Sequence, residues 1–262
     1  MRTLERARAV VTGAGRGIGR SIAVRLAAAG ASVAVVDTNP GTDSSDSTDS
    51  AGGAVAGPVV PEIAAHGVDA MALRCDVTDP GAVEAAVGAV IAAWGGVDVL
   101  VCNAGGGTGP IHGNRASEVE LAELEKVLRL NLFGTVHCCR AVAGPMRRQR
   151  HGSIVTMSSV NGLAATADGG YAHYGVAKAA VVQYTRYLAR DLGPHGIRVN
   201  AVAPGPIRTA RLQARYAEAG EDLAGAGEPD DVAAVVEFLA GPGARHVSGQ
   251  VVTVDGGLPH YA

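Results

Sequence analysis

The sequence predicts a doubly wound α/β fold, a single domain with a parallel sheet of seven strands and helices on both faces. Three observations carry this. Short runs rich in Val, Ile and Ala alternate with longer Ala-rich segments of helical pattern. Most of the short runs are apolar at nearly every position, as strands covered on both faces must be. The length, 262 residues, suits one large domain with a substantial core.

In chain order the strands are "RAVVT" (8–12), "ASVAVVD" (31–37), "AMALRCD" (70–76), "VDVLVCN" (97–103), "GSIVTMS" (152–158), "IRVNAVA" (197–203) and "GQVVTVD" (249–255). Helical patterns lie between them at 17–29, 58–66, 80–94, 117–148 with a break, 171–192 and 229–240. Strand–helix alternation of this length implies a doubly wound sheet. One segment departs from the rhythm. Residues 38–58, "TNPGTDSSDSTDSAGGAVAGP", are poor in bulky apolar side chains and read as a flexible surface insertion. Asp43, Asp46 and Asp49 recur there at every third position, but the spacing and the missing distal glutamate do not match a calcium loop.

Composition narrows the function classes. A formal net charge of −3 leaves no basic footprint for nucleic acid, and the run "MRRQRH" (146–151) reads as a solvated helix end whose cations suit the dipole. No run is long enough to span a bilayer, and the N-terminus lacks the apolar stretch of a signal peptide. Cys75, Cys102, Cys138 and Cys139 have no metal-ligand spacing. They read as reduced, buried thiols of a cytoplasmic protein, and no metal site is expected.

The stretch "VVTGAGRGIGRS" (10–21) sets Gly13, Gly17 and Gly19 between the first strand and the first helix. Glycines there permit a tight turn and let backbone N–H groups approach a pyrophosphate at a helix N-terminus. The spacing G-x-x-x-G-x-G differs from the G-x-G-x-x-G dinucleotide fingerprint. The second strand ends at Asp37, 18 residues beyond Gly19. A carboxylate there accepts hydrogen bonds from an adenosine ribose and repels a 2′-phosphate, which favours NAD over NADP. Arg16 is the opposing signal, a cation able to meet a 2′-phosphate.

The pieces "TGAGRGIG" (12–19), "CDVTD" (75–79), "NAG" (103–105), "NLFG" (131–134), "SS" (158–159), "YGVAK" (174–178) and "PGPIRT" (204–209) occur in that order. Together they resemble the short-chain dehydrogenase/reductase family, over nearly the whole chain. The resemblance implies a Rossmann-type sheet and roles for particular residues. Gly13, Gly17, Gly19 and the Ile18 backbone would form the pyrophosphate turn. Asp76 and Val77 would border the adenine. Asn103, Ala104 and Gly105 would support the ribose, and Pro204, Gly205, Ile207 and Thr209 the nicotinamide end. Asn131, Ser159, Tyr174 and Lys178 would form a catalytic tetrad. A homotetramer or dimer is implied as well.

The residues themselves bear on the tetrad. Lys178 follows Tyr174 by one helical turn, so both side chains share a face, whereas Tyr171 lies about 10 Å away along the axis. A nearby ammonium lowers the pKa of a phenol and makes it a usable acid and base. Tyr171 is therefore expected in the substrate wall, and His173 as a packing residue. Strand alternation sends Ser158 and Ser159 to opposite sides. The family pattern favours Ser159 as the group that bonds the substrate oxygen, with Ser158 as the alternative. Ser159 and Tyr174 are 15 residues apart, which predicts an enlarged or reshaped loop. Asn131 inside an apolar helical pattern suggests a kink, with a water relaying protons from Lys178.

The expected activity is interconversion of a secondary alcohol and a ketone by hydride transfer with NAD(H). One alternative is an NADPH-dependent reductase of 3-oxoacyl thioesters, another a non-catalytic binding protein. Residues 210–227 look like a short lid, which suggests an open site for a bulky, extended or carrier-bound substrate. Gly107 to His112, Leu163, Tyr171 and Arg211 are further wall candidates, and His112 and Arg115 are candidates to meet an anion.

Overall fold

The computed structural model describes residues 3–40, 59–110 and 112–257. Among these, seven strands form one parallel sheet: β1 (Arg8–Thr12), β2 (Ser32–Asp37), β3 (Ala70–Arg74), β4 (Val99–Cys102), β5 (Gly152–Met157), β6 (Ile197–Pro204) and β7 (Val251–Val254). Their spatial order is β3-β2-β1-β4-β5-β6-β7. The chain winds outward from β1 through β2 to β3, then returns to β4 beside β1 and winds the other way. The reversal between β1 and β4 opens a crevice beyond the carboxyl ends of the strands, where ligands bind in sheets of this kind.

Both faces are covered, which explains why the strands are apolar at consecutive positions. On one face Ala9, Val11, Val33, Val35 and Val101 pack with Ile22 and Leu26 of α1 (Gly17–Ala28), Ile63 of α2 (Val59–Ala64) and Val236 of α8 (Pro229–Ala240). The intervening residues Val10, Ala34, Leu100 and Ile154 face Val87 and Val90 of α3 (Pro80–Trp94), Val142 and Met146 of α5 (Gly134–Gln149) and Leu192 of α6 (Ala172–Leu192). Cores of small aliphatic residues suit the low aromatic content. The four cysteines are buried free thiols, and burial pushes Cys75 up to about 11.

The crevice end of the sheet is tied by polar bonds. The Thr12 hydroxyl accepts from the backbone N–H groups of Asn103 and Ala104, both at 3.0 Å. It donates to Val101 O at 3.3 Å. The Asn103 amide donates back to Thr12 O and Gly13 O, also at 3.0 Å. The loops after β1 and β4 are thereby fixed to each other before any ligand arrives.

Strand ends fall one or two residues inside several predicted limits. The predicted break in 117–148 is a π-helical turn, Arg129–Phe133, between α4 (Leu121–Leu128) and α5. Residues 210–227 contain a helix where the sequence suggests only a short lid. This is α7 (Ala210–Ala219), capped at its N-terminus by the Thr209 hydroxyl and followed by Gly220 in the left-handed conformation. Both caps are visible in the sequence. Residues 41–58 of the predicted insertion, with Asp43, Asp46 and Asp49, lie outside the described residues. The predicted basic helix end is the last turn of α5, with Arg147 and Arg148. No described helix is long and apolar enough to cross a membrane.

Replacing Thr12 by Val keeps the shape but leaves two half-buried N–H groups without their acceptor, at a cost of about 1–3 kcal/mol. Thermal unfolding followed by circular dichroism is expected to show Tm lowered by about 3–10 °C for a chain of this size.

Candidate active site

At the nucleotide end, Gly13 and Gly17 take φ of 63° and 54°, conformations that turn the chain from β1 into α1. Gly19 admits no side chain: a Cβ there would lie 2.1 Å from Gly13 O and 2.4 Å from the Asn103 amide nitrogen. Helix α1 starts after Arg16, with no side chain capping its N-terminus and no acidic residue in its first turn. Its first N–H groups therefore suit an anion. At the end of β2, one Asp37 oxygen accepts from Gly15 N at 2.9 Å and the other from Asn39 N at 3.0 Å. The second also accepts from the Thr38 hydroxyl at 3.4 Å, and the first keeps lone-pair capacity for a sugar hydroxyl. Asp76 accepts from both the N–H and the hydroxyl of Thr78 at 2.8 Å, stiffening the turn that presents the buried Val77.

At the chemical end, α6 carries Tyr174 and Lys178. Lys178 is 3% exposed. Its Nζ donates to Met157 O at 2.7 Å and lies 5.6 Å from the centre of the Tyr174 ring. β5 ends at Met157, so strand alternation does not govern the two serines, yet they still diverge. The Ser158 hydroxyl donates to Lys178 O at 2.9 Å and holds α6 to the sheet. Ser159 caps the 3-10 turn Val160–Gly162, accepting from Asn161 N at 3.2 Å, and lines the same cleft as Tyr174. That turn presses against α6, where a Cβ on Gly162 would come within 2.6 Å of the Lys178 backbone. This turn begins the predicted reshaped loop.

Burial pushes the Tyr174 phenol up to about 12, with Tyr171 adding to the effect and Ser159, Arg211 and Arg215 opposing it. Burial also brings the Lys178 amine down to about 7. The expectation that Lys178 depresses the tyrosine is corrected here. Lys178 is not among the groups that pull the phenol down, and desolvation of both groups outweighs the stabilising contacts.

Three consecutive glycines make room for the site. A Cβ on Gly105 would meet the Asn131 side-chain oxygen Oδ1 at 2.6 Å and Lys178 Nζ at 3.1 Å. One on Gly106 would meet Arg211 at 2.5 Å, and one on Gly107 the Tyr171 phenol at 2.2 Å. Asn131 is fully buried behind them, donating to Gly106 O and Val127 O and accepting from Gly106 N, each at 2.9 Å. Its side chain braces the β4 loop against the π-helical turn.

Tyr171 precedes α6 in the left-handed conformation (φ 58°), unusual for an aromatic residue. Its ring meets His173 edge-on at 5.1 Å and Tyr174 at 5.0 Å, and its phenol oxygen accepts from Arg215. His173 is buried against Thr108 O at 3.1 Å, its pKa lowered by burial, and is a packing residue as expected. His112 bridges Asp168 and Glu221, while Arg115 is exposed.

The two ends form one cleft of about 930 Å³. Every predicted site residue except Asn131 lines it: Gly13, Arg16, Gly17, Ile18, Gly19, Asp37, Asp76, Val77, Asn103, Ala104, Gly105, Ser159, Tyr174, Lys178, Pro204, Gly205, Ile207 and Thr209. Sequence reasoning missed Thr12, Gly106, Arg215 and Tyr216. The last was signalled by the spacing of "ARLQARYAEA", which places residues 211, 212, 215 and 216 on one helix face.

A protein-family profile described as enoyl-(acyl carrier protein) reductase matches residues 13–259. Cyclohexanol dehydrogenase of a Rhodococcus species is 46% identical over 260 residues, 96% of each chain. A Staphylococcus aureus 3-oxoacyl-(acyl-carrier-protein) reductase is 39% identical over 256 residues, 95% of this chain and 97% of that one. The structure of a 7α-hydroxysteroid dehydrogenase complexed with NADH and 7-oxo glycochenodeoxycholic acid superposes with a TM-score of 0.82. It is 34% identical and covers 97% of this chain and 94% of the other. The chain belongs to the short-chain dehydrogenase/reductase family. It is an oxidoreductase of CH–OH groups and their ketones, of a family that uses nicotinamide cofactors. The uncapped α1 N-terminus, the glycine turn and the open lone pairs of Asp37 fit a dinucleotide. Among the described residues no His, Cys, Asp and Glu cluster is able to hold a metal.

The two serines differ in what they hold, so their variants should separate. Ser159→Ala is expected to lower kcat about 10²–10³-fold with little change in Tm, as loss of a donor at a developing charge does. Ser158→Ala should lower Tm by a few degrees and change kcat less than about tenfold, since it loses one buried bond to backbone. Steady-state kinetics beside thermal melts reads both.

Proposed function

We propose that the protein interconverts a secondary alcohol and its ketone with NAD(H), and that Tyr174 is the general acid and base. One observation carries the proposal: Tyr174 lies where the nucleotide and substrate ends meet, in the cleft with Ser159 and one turn from the buried Lys178. When bound, the nicotinamide accepts a hydride from the carbinol carbon or returns one to the carbonyl carbon. The chain's own residues handle the proton and the geometry. In oxidation Tyr174 takes the hydroxyl proton, and in reduction it gives it back. Ser159 donates to the substrate oxygen as charge develops there. Lys178, one turn along α6, holds the end of β5 and the serine turn around the Tyr174 phenol. Asn131 holds Gly106, and with it the wall beside Lys178.

The N–H groups of Gly17, Ile18 and Gly19 would hold the pyrophosphate, with Gly13 turning the chain. Asp76 and Val77 would flank the adenine, and Asn103, Ala104 and Gly105 the ribose. Pro204, Gly205, Ile207 and Thr209 would position the nicotinamide end. The Asp37 carboxylate supports NAD over NADP, because a 2′-phosphate beside it meets like charge. Arg16 is the competing cation. The relative named cyclohexanol dehydrogenase supports a cyclic secondary alcohol as substrate. The Staphylococcus relative supports a second reading, an NADPH-dependent reductase of 3-oxoacyl thioesters. Four buried free thiols support a reducing, cytoplasmic setting. Exposed Phe133, Val176 and Tyr187 support a homo-oligomer, a tetramer or dimer.

Tyr174→Phe is expected to lower cyclohexanol oxidation at least about 10³-fold while NADH binding, measured by fluorescence titration, changes less than about threefold. Retained turnover would refute the assignment. Asp37→Ser is expected to lower the NAD-over-NADP ratio of kcat/KM by about 10²-fold, through lost repulsion and lost ribose bonds. A wild-type preference for NADPH would overturn the cofactor reading.

A further inference from the structure

The substrate end holds two arginines that the chemistry above leaves unused. Arg211 and Arg215 stand four residues apart on α7 and share a face. With Leu212 and Tyr216 they are partly buried, whereas Ala210, Gln213, Ala214 and Ala217 are exposed. Both arginines line the cleft. Arg211 Nη2 donates to Gly107 O at 2.7 Å. Arg215 donates to the Tyr171 phenol oxygen and to Gly109 O. Its guanidinium lies 4.9 Å from the centre of the Tyr171 ring, itself 5.0 Å from the Tyr174 ring. The cation is thus within about 10 Å of the reacting phenol, near enough for a small substrate to bridge them.

These partners are all neutral. Among the described residues neither arginine forms an ion pair, whereas Arg208 just before α7 pairs with Glu228 at 2.9 Å. The two carboxylates lining the substrate end, Asp168 and Glu221, are bridged by His112 at 3.4 Å and 2.7 Å. A guanidinium stays charged at any working pH, and its planar fork matches a carboxylate. Two of them partly withdrawn from water, on one wall and without a counter-charge, carry a desolvation cost that an anion in the cleft offsets.

We propose that Arg211 and Arg215 form a receptor for a carboxylate of the substrate, so that the alcohol oxidised at Tyr174 belongs to a cyclic or short-chain hydroxy acid. The proposal rests on the alcohol/ketone reading and narrows it. It also accounts for Gly106, where any side chain would displace the Arg211 guanidinium.

The test compares NAD⁺-dependent oxidation of 4-hydroxycyclohexanecarboxylate with that of 4-hydroxycyclohexanecarboxamide, which share ring and carbinol and differ in charge. The wild type is expected to favour the carboxylate at least about 30-fold in kcat/KM. Arg215→Met and Arg211→Met should each lower the carboxylate value about 10²-fold, mainly through KM, and the carboxamide value less than about tenfold. Arg215→Lys should restore part of the loss by keeping the charge. Equal use of both alcohols by the wild type would overturn the proposal. So would equal losses for both in the variants, which mark arginines that only fasten α7, or a parallel rise in the NADH dissociation constant, which marks a cofactor contact. Calorimetry on the NAD⁺-loaded protein gives a readout free of turnover. Cyclohexanecarboxylate should bind at least about tenfold tighter than cyclohexanecarboxamide, and Arg215→Met should erase the difference. Selective binding with no oxidation of either alcohol would refute the alcohol/ketone reading and leave the receptor standing. Oxidation of both without selectivity would do the reverse.

Discussion

The burial of Lys178 beside Tyr174 is the constraint on which the rest of the site depends. The amine is 3% exposed and its pKa falls to about 7. Each tenfold loss of proton affinity corresponds to about 1.4 kcal/mol, so the fold holds this group at a cost of several kcal/mol. That placement persists because the surroundings over-determine it. Lys178 Nζ bonds Met157 O at the end of β5, and Ser158 bonds the Lys178 carbonyl from the same strand end. Gly162 allows the Ser159 turn to lie against α6, and Gly105 leaves space above the amine. Fixing one lysine therefore fixes the strand end, the serine turn and the tyrosine together.

A second lock sits at the neighbouring strands. Thr12 and Asn103 exchange bonds across the β1–β4 crevice and hold the glycine turn in place. Asn131 braces the same β4 loop from behind, through Gly106. The nucleotide end and the chemical end thus share one rigid wall, the loop Asn103–Gly107. The reacting atoms are thereby positioned by elements of the sheet.

Much of this was legible in the sequence, and the reason is local. The glycine turn, the end of β2 at Asp37 and the one-turn spacing of Tyr174 and Lys178 each depend on residues adjacent in the chain. The break at Asn131 was legible too, since a buried Asn in an apolar helical pattern needs a special backbone. What escaped depends on residues that meet only in space. The depth of burial around Tyr174 reverses the direction in which its pKa was expected to move. Gly106 and Gly107 look like ordinary loop glycines until Arg211 and Tyr171 arrive from 60 or more positions away. The divergence of Ser158 and Ser159 was read from strand alternation, but it arises from a turn that starts one residue earlier. Helix α7 had its caps and its periodicity in plain view. It was passed over because a segment poor in large apolar residues reads as a loop.

The central claim is that burial sets the proton affinity of the Tyr174 phenol and that buried Lys178 holds the elements around it in place. The most direct measurement is the pH dependence of kcat/KM for alcohol oxidation in the wild type and in Lys178→Met, with folding checked by thermal melts. Oxidation needs the phenolate, and burial holds the phenol high, so the wild-type rate should climb about tenfold per pH unit from neutrality upward. Burial, which holds the phenol high, does not depend on the amine, and Lys178 is not among the groups that pull the phenol down. The account predicts the same limb at the same pH in Lys178→Met, with the rate lowered throughout because the amine holds the strand end and the serine turn in place. A limb displaced by about one unit or more in Lys178→Met, or a rate indifferent to pH in the wild type, would contradict it.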